Sequence, residues 1–152
     1  MRRIIYRSMA VPELDRAGLF HLLYYARIAN EAHGLSGVLL RAEDRLLQVL
    51  EGPTSKLAVT FEAIRRDPRH ALVEVIDERP IPQATFPGWP MRYFDDCDIR
   101  KAVQQMTTAA GGVLPPPIAG AISDFFVEAF VGLDRITSVP PEAGLPSSPR
   151  PC

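Results

Sequence analysis

The chain has 152 residues, 47% of them hydrophobic and 23% charged, with a formal net charge of −1. That suits one domain with a real core and excludes the basic field that drives nucleic-acid binding. No apolar run approaches the ~20 residues of a membrane span, no secretory h-region follows Met1, and Cys97 and Cys152 make neither a disulfide framework nor a metal cluster. A metal-free protein of the reducing cytoplasm, away from membranes, is the expectation.

Residues 3–8 read as a first strand, ended by turn-forming Ser8 and Pro12. Residues 15–31 place Leu19, Leu22, Leu23, Ala26 and Ala29 at helical spacing, with Asp15 as N-cap and Gly34 beyond the end. Leu35–Leu40, a polar turn at 42–45 and Arg45–Gly52 read as a hairpin. Gly52-Pro53 opens a second helix with Leu57, Phe61 and Ile64 on its inner stripe, closed by Pro68. Leu72–Asp77 is a fourth strand and Pro90–Phe94 a fifth.

The order β-α-β-β-α-β-β is the ferredoxin-like split pattern with an added strand. The expected class is α+β, with a five-stranded mixed sheet and two helices on one face. Residues 1–95 then form the domain and 96–137 a helical extension, either covering the other sheet face or making a dimer interface. Its apolar stripe is Ile118, Ile122, Phe125, Phe126, Ala129, Phe130 and Leu133. Residues 138–152 contain five prolines and read as a disordered tail.

Gln48 sits in the middle of the apolar run Leu46-Leu-Gln-Val-Leu50. A buried carboxamide costs roughly 1–3 kcal/mol unless its donors and acceptor are met. Read alone, it also suits a strand with one wet face. Strand alternation puts Ile4, Tyr6 and Ser8 on one side and Leu46, Gln48 and Leu50 on another. If both sets face the helices, Tyr6 and Gln48 are cross-strand neighbours. Asn30 shares the inward stripe of the first helix. Three polar groups thus converge on one interior space, as a satisfied network or as a site for a ligand with polar edges. Leu22 and Ile64 offer apolar faces that could sandwich a flat ring.

These residues carry a resemblance to the BLUF domains, blue-light sensors that use flavin. The matching stretches are Ile4-Ile-Tyr6-Arg-Ser8, Asn30 with Gly37 seven residues on, Leu47-Gln48-Val-Leu-Glu-Gly52, Arg66-Asp-Pro-Arg-His70 and Phe86-Pro-Gly-Trp89-Pro-Met91. The resemblance implies a flavin between the two helices, held by Asn30 at its carbonyl edge, with Gln48 linking it to Tyr6. It implies that Asp67, Arg69 and His70 lie near the flavin, and that Trp89 and Met91 are a strand pair on one face, with either of the two as the neighbour of Gln48. It further implies light-driven electron and proton transfer between Tyr6 and the flavin, with Gln48 rearranging in response. Ala29 and Ala63 depart from the family pattern at ring and phosphate contacts. FAD leads, FMN and riboflavin stay open, and the Arg65, Arg66 and Arg69 cluster is either a phosphate contact or a solvated helix end.

The implied function is a short photoreceptor without a catalytic domain, signalling to a separate protein or through a homo-oligomer, a dimer or larger. One alternative is a light-insensitive flavin- or ligand-binding regulator. An acylphosphatase-like hydrolase would want Gly and Arg in the loop after the first strand, which Ser8-Met-Ala-Val-Pro12 lacks. An RNA-recognition module would want aromatic residues on the third strand, which Leu47-Gln-Val-Leu50 lacks.

Overall fold

The computed structural model describes residues 1–137, with side chains through residue 129. The expected tail at 138–152, and the side chains of Phe130 and Leu133, lie outside the described residues. The elements are β1 (Arg2–Ala10), α1 (Arg16–His33), β2 (Ser36–Ala42), β3 (Arg45–Gly52), α2 (Thr54–Arg66), β4 (His70–Pro80), β5 (Arg92–Asp95), α3 (Ile99–Ala109) and α4 (Pro116–Thr137).

The sheet runs β4-β1-β3-β2-β5, antiparallel throughout except for the parallel pair β2–β5. The expected α+β class with a five-stranded mixed sheet is therefore the observed one. Asp15 caps α1 by accepting from the Gly18 N–H at 2.7 Å. Gly34 ends α1 at φ 68°, a left-handed conformation glycine adopts without penalty.

Alternation sorts each strand into two cores. Ile4, Tyr6, Leu39, Leu46 and Leu50 face α1 and α2, meeting Leu19, Leu23, Leu57 and Phe61. Ile5, Val38, Leu40, Leu47, Val49 and Phe94 face the opposite way, against Ala102, Met106, Ile118, Ile122 and Phe125. Of the two readings of the 118–133 stripe, the sheet cover is the one observed: Ile118, Ile122 and Phe125 are buried on the sheet.

Three boundaries differ from the sequence reading. β1 continues through Ser8 to Ala10, because the Ser8 hydroxyl finds a partner in His70 Nδ1 at 2.9 Å and need not leave the core. β4 extends over His70–Pro80, since pairing with β1 continues across two register shifts. β5 starts only at Arg92, because Pro90 has no N–H to offer a ladder. Among the described residues, no helix is long and apolar enough to cross a membrane.

Candidate functional site

Tyr6 and Gln48 are paired residues of the β1–β3 ladder, so their side chains leave the same sheet face side by side. Both are buried there, at 3% and 5% exposure. The Tyr6 hydroxyl donates to Gln48 Oε1. Gln48 Nε2 donates in turn to Met91 Sδ at 3.5 Å. The chain phenol–carboxamide–thioether is thus closed within the core. Burial pushes the Tyr6 phenol well above its ordinary value, and the carboxylate of Asp67 pushes it the same way. The phenol is neutral and keeps its proton for donation.

Aromatic groups pack around it. The Phe61 ring lies 5.3 Å from Tyr6 and the His70 ring 6.4 Å, both tilted. His70 bridges two elements: its Nε2 contacts the Ile64 carbonyl at 2.7 Å and its Nδ1 the Ser8 hydroxyl at 2.9 Å. A carbonyl only accepts, so Nε2 carries the proton and, in the neutral ring, Nδ1 accepts from Ser8. The ring therefore pins the end of α2 to β1.

Asn30 is 2% exposed at the inward face of α1 and donates from Nδ2 to the Pro90 carbonyl at 2.6 Å. One further N–H and its oxygen stay available on the carboxamide. Leu22 and Ile64 are half-buried. The two helices are linked by a hydrogen bond between Thr60 Oγ1 and His33 Nδ1 at 3.4 Å.

The fold brings together Tyr6, Gln48, Asn30, His70 and Met91. Asp67 and Arg69 pair with each other, Arg69 Nη2 to Asp67 Oδ2 at 2.6 Å, with Arg69 about half exposed. The Arg69 hydrogen bond holds the Asp67 carboxyl below its ordinary range against the opposing effect of burial. The expected strand pair Trp89 and Met91 is corrected. Met91 joins the core with Tyr6, whereas Trp89 packs on the opposite face, stacked on Phe86 at 5.5 Å with Arg92 over its ring at 5.0 Å. Residues 81–91 are a turn-rich connection with Gly88 at φ 77°, so period-two alternation does not apply there.

Sequence reasoning missed Arg27, whose Nε donates to the Met91 carbonyl at 2.9 Å. Its signal was available: it lies one helical turn before Asn30. Phe61 was read only as core. A cleft of about 290 Å³ lined by Arg7, Leu47, Glu74 and Phe125 lies beside α4 and holds none of these residues.

The donor set suits a flavin. Beyond its bond to Pro90, Asn30 has a second N–H and an oxygen to offer, Gln48 has a second N–H, and Leu22 of α1 and Ile64 of α2 are half-buried apolar residues. That is the complement of a flat ring with carbonyl and imide edges.

Comparison with known proteins agrees. The family model described as "BLUF: Sensors of blue-light using FAD" matches residues 1–92. A photoactivated adenylate cyclase subunit beta of Euglena gracilis is 29% identical over 85 residues, 56% of this chain and 10% of that protein. The chain thus spans about a tenth of the length of that relative. The dark-state structure of BlrB, a BLUF protein, superposes with a TM-score of 0.65 at 26% identity, covering 80% of this chain and 96% of BlrB. Klebsiella pneumoniae BlrP1 with FMN and cyclic diGMP gives a TM-score of 0.63 at 29% identity, over 70% of this chain and 29% of that one.

Proposed function

The chain belongs to the BLUF family of flavin-based blue-light sensors, and we propose that its own light response runs through Tyr6, Gln48 and Met91. The observation that carries this is the buried relay in which the Tyr6 hydroxyl donates to Gln48 while Gln48 donates to Met91 Sδ.

Flavin, when bound, supplies the blue absorption and, once excited, an oxidant strong enough for a phenol. Asn30 and the second N–H of Gln48 would hold its polar edge, and Leu22 and Ile64 would supply apolar faces for the ring. With flavin bound, Tyr6 would pass one electron to the excited ring and release its hydroxyl proton in the same step, because a charged residue in this buried place is costly. The proton leaves toward Gln48 Oε1, the atom it already faces. A carboxamide that takes a proton at oxygen can release one from nitrogen. Once the electron and a proton are back on Tyr6 there is no net redox change, and Gln48 would be left turned over or as its tautomer. Its Nε2 then leaves Met91 Sδ, and the segment ahead of β5 is freed to shift.

FAD is the proposed flavin, following the family description; FMN and riboflavin are the alternatives, FMN because the BlrP1 structure holds it. Signalling to a separate downstream protein, or through a change of homo-oligomer, is the proposed output, with the cytoplasm as its place. Asp67, Arg69 and His70 are proposed to lie along the flavin's side chain. No turnover is assigned to residues 1–95.

Purified protein supplied with ample FAD is expected to be yellow and to show a small, thermally reversible red shift of the flavin band under blue light. A colourless preparation overturns the reading. So does a yellow one whose spectrum does not respond to light.

A further inference from the structure

The three residues that lead into β5 have their carbonyls captured in succession. Trp89 accepts from the Gly37 backbone N–H at 2.8 Å, Pro90 from Asn30 Nδ2 at 2.6 Å, and Met91 from Arg27 Nε at 2.9 Å. Arg92 then enters the ladder opposite Val38. Backbone pairing therefore holds residues 89 and 92, while Pro90 and Met91 between them are held by two α1 side chains. Asn30 and Arg27 sit one helical turn apart, so both reach the segment from one side of α1.

The two clamps differ. Asn30 is buried and also belongs to the ligand-facing set, whereas Arg27 is exposed. The Gln48–Met91 contact cannot fix Met91 by itself, since a thioether is a weak acceptor. The guanidinium-to-carbonyl bond is charge-assisted and stronger. The Met91 methyl also lies close to β2: a Cβ on Gly37 would be in van der Waals contact with Met91 Cε at 3.4 Å.

We propose that Arg27 is a positioning residue that holds the Met91 backbone to α1, keeps Sδ against Gln48, and so sets the rate of return from the lit state. The kinetic half rests on the photoreceptor reading above. The positional half does not depend on light.

The test uses the full chain loaded with FAD, its methionine methyls labelled with 13C, as wild type, Arg27→Ala and Arg27→Lys. In darkness the Met91 methyl resonance, assigned with Met91→Leu, is expected to move toward that of a solvent-exposed methionine in Arg27→Ala. It should return in Arg27→Lys, which keeps a charged donor. After a blue flash, Arg27→Ala should give a full red shift but recover about tenfold more slowly, equivalent to ~1.4 kcal/mol in the barrier. Arg27→Lys should recover within about threefold of wild type. A Met91 resonance unmoved in Arg27→Ala overturns the positional role. A moved resonance with unchanged recovery overturns the kinetic role. Wild type without any red shift defeats the photoreceptor reading and the kinetic role with it, while the methyl signal still decides whether Arg27 positions Met91.

Discussion

Gln48 has unequal partners on its two ends. Its oxygen takes a strong hydroxyl donor, Tyr6, and its nitrogen leans on a weak acceptor, Met91 Sδ. The Tyr6 end is therefore firm and the Met91 end easily released, which is the asymmetry a switch needs. Gln48→Leu should keep the protein yellow and folded but abolish the light-induced red shift; a normal shift would remove Gln48 from the mechanism. Tyr6→Phe should act alike, and it has a second signature in stability. The folded phenol holds its proton above the ordinary value of 10.0, so the unfolded chain releases that proton first as pH rises. Stability contributed by the neutral phenol is whole below about pH 10 and declines above it, by up to ~1.4 kcal/mol per pH unit. Urea midpoints at pH 9 and 11 should fall further apart in wild type than in Tyr6→Phe.

At the scale of elements, the site depends on an irregular connection being held still. Glu51, three residues beyond Gln48 but on the other sheet face, is fully buried. Its carboxylate accepts from Arg3 Nε at 2.9 Å, the Thr85 N–H at 2.6 Å, the Phe86 N–H at 3.3 Å and the Ser36 hydroxyl at 3.5 Å. One side chain thus ties β1, β2 and β3 to the start of the Phe86–Met91 segment. Glu51→Ala would strand the Arg3 charge in the core, a loss of about 3–5 kcal/mol. Denaturant unfolding should show it, and Glu51→Gln should recover part of it. Gly37→Ala probes the same segment from β2. Its Cβ would meet Leu50 Cδ2 at 3.0 Å and the Val49 carbonyl at 3.3 Å, neither free to yield far. A cost of roughly 1–3 kcal/mol is expected for such overpacking.

At the scale of the molecule, α3 and α4 complete the second core. Glu128 adds two ion pairs at the rim, to Arg7 at 2.7 Å and Arg45 at 3.6 Å, all exposed and of small energetic value. Removing residues 96–152 would bare Ile5, Val38, Leu40, Leu47, Val49 and Phe94 together. Apolar patches of that extent drive association. A 1–95 fragment should bind a hydrophobic dye and self-associate in sedimentation, whereas the full chain should not bind the dye. A monodisperse, dye-silent fragment would show that the extension is dispensable to the sheet.

The local signals in the sequence determined the element order, the split β-α-β topology and the cap at Asp15, and they offered Tyr6, Gln48 and Asn30 as one inward set, which the β1–β3 register then decided. Each follows from periodicity or from a single residue's chemistry, which act over a turn or a strand. The ends of β1 and β4 were not legible, because Ser8 and His70 satisfy each other across 62 positions of chain. Nor was the division of Trp89 from Met91. In a turn-rich segment no period assigns faces, and only the packed neighbours did so: Phe86 drew Trp89 to one core, while Arg27 and Gln48 drew Met91 to the other.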